Sequence, residues 1–543
     1  MSREIGTLRA LSNGESQYVG SSSGVFFINT VRRAFSAAAA STTRPNEQHD
    51  EQQEHPSPED CILGGEQGPT GTLSDDPIGE PSRGPPDDAS DLDMESPWNL
   101  GFLHKLPEYS IARRLVMSYF RIWHPLVPFL NGPDCLKDLD SLYAERPRLT
   151  SSQSLALLTI FRCIFGISSL DEPDLASWRC TPQQLMPVLG LVALKCDIIS
   201  VQALLSAQVY FVATMALRNA STVGGIISKS IVQAGLHRCP YRYGHLSPDD
   251  RSMRKRVFWS AYVLDRFLSQ SLGHPNGIQD SDIDVCLPGC RDLHEPVTNS
   301  VASPSTLEQH RLQVQAVLAS HVRCSQLIGR MLEIFHKSIH VRDSDGRAVL
   351  FLKADLGAWG NNLDDPRTNR SSLSGLGPDP AVFPFISFHY SLLLVNRPSL
   401  SLDPDTAEFH AAIQACVAAG TTIIRTMEQQ TNLGYPLFWT GYLSAVWMSG
   451  LVLAFAFQLK MHSAANATSG ISSALKLLTV MGSRWRMALH CRSVLSTLLT
   501  SIQHMGDLGA NMMTGDGSVF DVFDGATWGS LLDLVDNPGG EFF

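Results

Sequence analysis

Residues 222–238 read TVGGIISKSIVQAGLHR, residues 251–275 read RSMRKRVFWSAYVLDRFLSQSLGHP, and residues 277–288 read GIQDSDIDVCLP. In the first piece Val223, Ile226, Ile227, Ile231 and Ala234 recur at three- and four-residue steps. That spacing predicts one apolar face of a helix. Gly235 then supplies the left-handed backbone of a C-terminal cap. Ser247 is placed to cap a second helix, with Pro248 in its first turn and Asp249 and Asp250 at the positive end of its dipole. Val257, Ala261, Leu264 and Leu268 form that helix's stripe, with Phe258 beside it, and Gly273-His274-Pro275 ends it.

Working outward, charge is distributed unevenly. The 543 residues carry a formal net charge of −11. Between Pro45 and Ser96 fifteen acids face one base, Arg83, so the rest of the chain is slightly basic. Overall acidity therefore excludes no partner class. The acidic stretch is rich in Pro, Gly and Ser and poor in aromatics, and cannot bury enough surface to offset its ordering entropy. The eleven cysteines are scattered through apolar runs, as at Cys163 and Cys416, which suits buried thiols in a reducing compartment. The N-terminus shows no charged-then-apolar signal pattern.

Helical periodicity recurs at 111–120, 151–167, 184–200, 201–217, 307–339, 348–359, 383–397, 407–430, 438–460 and 471–499, while strand-type alternation is scarce. The expected fold is all-α, a multi-helix domain over 98–505. A segment over 1–36 and a disordered acidic linker over 37–97 precede it, and an acidic-hydrophobic tail over 506–543 follows.

The ordered set Gly235, Leu236, His237, then Arg254, Lys255, Arg256, then Trp259, Asp265, Arg266, Gly273, Pro275, Asp282, Asp284 and Pro288 resembles the middle regulatory domain of fungal zinc-cluster transcription factors. Each short motif is common alone; their order across nearly seventy residues is specific. Tyr18, Gly20, Ser22, Ser23 and Gly24 resemble the piece that precedes this domain in the family. His124, Pro125, Pro128, Arg397, Pro398, Trp485, Ala488 and Arg492 extend the match. Two departures stand out: Ser252 where the family has an acid, and Gly-His-Pro where it has Gly-Arg-Pro.

The resemblance implies a nuclear, pathway-specific regulator of RNA polymerase II transcription, controlling catabolic or secondary-metabolism genes. Its zinc and DNA binding would come from a six-cysteine cluster that is expected to lie outside this chain. No Cys-x2-Cys pair occurs, so no cofactor is expected in the chain itself. Expected partners are a co-activator or mediator-type protein, and a second copy or a related factor. DNA is expected only through the missing module or a partner, and no membrane is expected. Alternatives are a co-regulator or ligand-sensing module without DNA contact and, behind it, a helical enzyme.

Other constellations read as structural. Cys286, Cys290 and His294 lack a fourth ligand and the spacing of closed zinc sites. Asp280-x-Asp282-x-Asp284 opens like a calcium loop, but Val285 and Arg291 stand where that loop needs Gly and Glu. Gly20-x-Ser22-x-Gly24 matches a nucleophile elbow without the core strand that elbow requires. The basic triplet 254–256 reads as a solvated, ion-paired face. His237 is expected to serve the preceding helix end. The uncharged run 429–459 is long enough to span a membrane, but its Gly, Pro and Ser interruptions favour a buried core helix. At the C-terminal end, Phe520, Phe523, Trp528, Leu531 and Leu532 alternate with aspartates, as in an activation segment that folds on a co-activator. No convergent catalytic set is visible.

Overall fold

The computed structural model describes residues 7–10, 16–20, 100–144, 152–289, 306–337, 346–367, 379, 381–435 and 437–511. The acidic linker, Ser22 to Gly24, Cys290, His294 and the five tail residues Phe520, Phe523, Trp528, Leu531 and Leu532 lie outside these. Among the described residues the fold is all-α, as the periodicity implies, with one two-stranded ribbon. Strands β1 (Thr7–Ala10) and β2 (Ser16–Val19) pair antiparallel, Thr7 opposite Val19.

Fourteen α-helices follow among the described residues. They are α1 (Tyr109–Ile122), α2 (Gly132–Ala144), α3 (Ser152–Ser168), α4 (Pro182–Val192), α5 (Ile198–Ala213), α6 (Leu217–Gln233) and α7 (Pro248–Leu272). Next come α8 (Thr306–His336), α9 (Gly346–Gly360), α10 (Val382–Asn396), α11 (Ala407–Asn432), α12 (Thr440–Gln458), α13 (Ala464–Met481) and α14 (Arg486–Asn511).

Local chemistry sets the boundaries. Ser247 accepts a hydrogen bond from the Asp250 amide at 3.1 Å, and Gly273 closes α7 at φ +72°. Gly235 sits at φ +66° just beyond α6. Asp197, Thr406 and Ser463 cap α5, α11 and α13 in the same way as Ser247, and Thr181 with Gln184 forms a reciprocal capping box on α4.

Two continuous helices expected from periodicity are broken. The pattern over 184–200 divides between α4 and α5, because Asp197 turns its carboxylate onto the Ser200 amide and starts a new helix. The pattern over 471–499 divides between α13 and α14. There Trp485 leaves the helical path and donates its indole N–H to the Ala213 carbonyl at 2.8 Å, while Arg484 pairs with Asp171 at 2.6 Å. These two residues pin the late helices to the early ones.

One hydrophobic core runs from Leu103 to Ile502, and a smaller one joins α8, α9 and α10 around Leu327, Leu352, Leu356 and Val395. Helices α5 and α12 are buried on nearly every side. Among the described residues three helices, α12 among them, are long and apolar enough to cross a membrane, yet 83% of the apolar stretch of α12 is buried inside the protein. An aromatic seam of Trp123, Phe267, Phe383, Phe438 and Trp439 joins the two ends of the core, with ring centroids 4.6 to 6.0 Å apart along it. Edge-to-face contacts of this kind add to the area they bury.

Candidate functional site: the polar clamp on the central helix

Helix α7 carries the stripe the sequence indicates, but burial is wider. Every residue from Val257 to Leu264 is buried, because α5, α6 and α8 all pack on this helix. Two residues later Arg266 is fully buried. Its guanidinium donates to Asp265 Oδ2 at 2.6 Å and to Asp280 Oδ1 at 3.0 Å, and lies 4.3 Å from the Tyr262 ring centroid. Tyr262 donates its hydroxyl to the same Asp280 oxygen at 2.7 Å. Burial pushes the Tyr262 hydroxyl upward, so it stays a donor. Asp265 also accepts the Gly277 and Ile278 amides at 3.0 and 3.2 Å. Burial raises its carboxyl, while Arg266 and these two amides pull the other way.

The clamp stitches the loop after α7 back onto the helix. Further along, Asp284 accepts the Cys239 amide at 2.7 Å and pairs with Arg242 at 2.8 Å. The Trp259 indole donates to the Cys286 carbonyl at 3.0 Å. Asp282 is exposed, and Pro288 is buried. Asp280 and Asp284 therefore face different partners, Asp282 faces solvent, and the three do not converge on one point. Among the described residues no group of three or more His, Cys, Asp or Glu is arranged to hold a metal ion.

The basic triplet is not the solvated face that its composition suggests. All three residues are half-buried. Arg254 donates to the Ala234 carbonyl at the end of α6 at 3.2 Å, and Arg256 to the Leu130 carbonyl at 3.1 Å. Lys255 stands 5.8 Å from the centre of the Tyr241 ring. Helix-end carbonyls attract cations, so α7 uses these side chains to grip its neighbours. His237 is half-buried, and its carbonyl accepts the Asp284 amide at 3.3 Å. The hydrogen bond to the end of α6 expected of its ring is made by Arg254 instead. Arg397 is buried at the end of α10, with Pro398 in the 3-10 turn that follows. Gly235, Leu236 and Pro275 shape the turns around the clamp, and Ser269 donates to the Pro275 carbonyl at 3.3 Å.

The N-terminal ribbon docks at the end of α7. The Gly20 amide donates to the Leu272 carbonyl at 3.1 Å. A Cβ built on Gly20 would lie 1.9 Å from the Gly273 carbonyl oxygen, so only glycine permits this approach. The His274 ring hydrogen-bonds the backbone of Tyr18, and burial lowers its pKa. Histidine in the Gly-His-Pro triplet thus has a use that sequence alone did not assign. Gly20→Val is expected to release the ribbon. Amide exchange over residues 16–20 should speed at least tenfold while α7 keeps its protection, read by hydrogen-exchange mass spectrometry. Unchanged exchange would mean that the contact is not holding the ribbon.

Sequence reading missed Tyr241 and Gly329. The last lies on α8, where any Cβ would sit 2.8 Å from Arg266 Nε. A glycine inside a long helical pattern was the available signal for it.

Comparison with known proteins agrees with this frame. A family model described as the fungal specific transcription factor domain matches residues 116–361, from within α1 to just past α9. A probable transcription factor of Fusarium proliferatum is 39% identical over 93% of this chain and 78% of its own length. A transcriptional activator protein of Neurospora crassa is 25% identical over 60% of the chain and 35% of its own length. An activator of stress genes of Saccharomyces cerevisiae is 27% identical over 34% of the chain and 20% of its own length. With 39% identity to such a factor over 93% of its residues, the chain belongs to the fungal-specific transcription factor family and takes part in transcriptional regulation.

Proposed function

We propose that this chain acts in the nucleus as the regulatory part of a pathway-specific transcription factor. It reaches promoters through a zinc-cluster module or a partner, and it stimulates RNA polymerase II through a co-activator held by its C-terminal tail. The observation that carries this reading is the kind of site the helices build. Arg266, Asp265 and Asp280 are committed to one another and to backbone amides, which suits a scaffold that holds segments in place. Catalysis would instead use groups open to a substrate. In support, the tail of 515–543 places Phe520, Phe523, Trp528, Leu531 and Leu532 among aspartates with no Lys or Arg. Charge keeps such aromatics solvated until they dock on a partner.

The test is a fusion of 515–543, and separately of the whole chain, to an unrelated DNA-binding domain driving a reporter. The tail fusion is expected to raise output at least tenfold, and replacing Phe520, Phe523 and Trp528 with Ala should abolish the gain. Output no higher than the unfused control, in both fusions and in several fungal hosts, overturns the activating role.

A further inference from the structure

A cavity of about 50 Å³ opens where α7, α8, α10 and the start of α12 meet. Phe383, Ile386, Trp439 and Tyr442 make its walls apolar and largely aromatic. Its mouth is formed by half-buried Phe267, Ile328, Ser387 and Tyr390. No Lys, Arg, Asp or Glu stands among its described lining residues.

Of the polar side chains in this lining, Gln270, His321, Ser325, Ser387, Tyr390 and Tyr442, two stand out by their hydrogen bonds. His321 is only 5% exposed, and its ring packs edge-to-face on Phe383 at 4.3 Å. Its Nδ1 lies 3.1 Å from the Leu126 carbonyl oxygen. A carbonyl can only accept, so the proton is on Nδ1 and Nε2 carries a lone pair. Burial pushes the pKa of this ring down to about 4, which keeps it neutral near pH 7. Nε2 has no hydrogen-bond partner among the described residues. An open acceptor beside a largely apolar wall gains free energy when a ligand donates to it. The second group is Tyr390, whose hydroxyl oxygen accepts from Gln270 Nε2 at 3.2 Å and retains a proton to give. One acceptor and one donor are the complement of a hydroxyl, which both donates and accepts.

Size and charge narrow the occupant. One water needs roughly 10–15 Å³ of such space, so the enclosed part takes a group of about three to five heavy atoms. A longer apolar remainder can rest in the half-open mouth. A carboxylate would enter without a cation to meet it, at a large desolvation cost. We propose that this cavity is a binding site for the hydroxyl-bearing end of a small, neutral, largely apolar molecule. The proposal does not depend on the chain being a transcriptional activator, and its failure would leave that reading standing.

Titration calorimetry and ligand-observed NMR on the purified full chain test it, with 1-hexanol as the probe. Two comparison probes have the same length: 1-methoxypentane, an ether that cannot donate, and hexanoate, an anion. We expect saturable one-to-one binding of 1-hexanol, at least tenfold weaker binding of the ether, and none of hexanoate. Ser387→Leu should narrow the mouth and weaken 1-hexanol at least tenfold. His321→Phe keeps an aromatic ring, slightly larger, but removes the acceptor, and should erase the difference between alcohol and ether. If His321→Phe does not fold, the ether comparison and Ser387→Leu still decide. Absence of saturation with 1-hexanol, equal affinity for alcohol and ether, or unchanged affinity in Ser387→Leu each overturns the site.

Discussion

Leu264→Asp is expected to leave little folded domain at 25 °C. Leu264 lies in the middle of α7 and is fully buried. An aspartate there must either ionise without a partner or protonate at a cost, and it also loses the apolar contacts of the leucine. Burial of a leucine is worth about 1.5–3 kcal/mol, and the unpaired polar group adds several more. Whole-domain stability is typically about 5–15 kcal/mol, so the change removes a large share of it.

Two comparison variants make the result interpretable. Lys229→Ala, at an exposed position on α6, should shift stability by no more than about 0.5 kcal/mol. Arg254→Ala, which composition would place with the neutral surface changes, should cost about 1–2 kcal/mol instead. It removes a charged hydrogen bond to the Ala234 carbonyl at the end of α6. Chemical denaturation of all three variants, followed by circular dichroism, gives the order. Equal, small shifts would mean that α7 is not the helix around which the domain is built.

Much of this helix could be read before any coordinates. Ser247, Pro248, Gly235 and Gly273 mark its limits because capping is local chemistry, set by side chains within a turn of the helix end. The stripe Val257, Ala261, Leu264 and Leu268 is legible because period 3.6 is a local property too. What escaped is non-local. The full burial of Arg266 depends on Gly329, sixty-three positions on, letting a guanidinium pass. The break before α14 depends on the Ala213 carbonyl, which nothing near Trp485 in sequence announces. The basic triplet was misread for the same reason: its acceptors, at Ala234 and Leu130, come from other elements. Recognition of the motif order supplied the family, but only the folded chain assigns residues such as Asp265, Arg266 and Arg254 a physical task.

Arg266→Ala provides the sharper test of the clamp. The substitution leaves Asp265 mostly buried with two amides but no cation, leaves Asp280 without its guanidinium partner, and opens a void beside Gly329 and the Tyr262 ring. Removing one member of a buried ion pair typically costs about 3–5 kcal/mol, mostly through the charge left behind. Two further observations separate this cause from simple loss of volume. Removing the stranded carboxylate as well, in Arg266→Ala with Asp265→Ala, should cost less than the sum of the single changes. The pH dependence should also differ. Without Arg266 the Asp265 carboxyl is raised further above its unfolded value, so the folded variant binds a proton more readily than the unfolded chain. Its stability relative to the original protein therefore recovers as pH falls from 7 through that raised pKa, and the deficit is largest at neutral pH. Urea titrations of the single and double variants at several pH values between 7 and 5 measure this. A deficit under about 1 kcal/mol that is flat with pH would show that Arg266 fills space beside Asp265 without holding its charge.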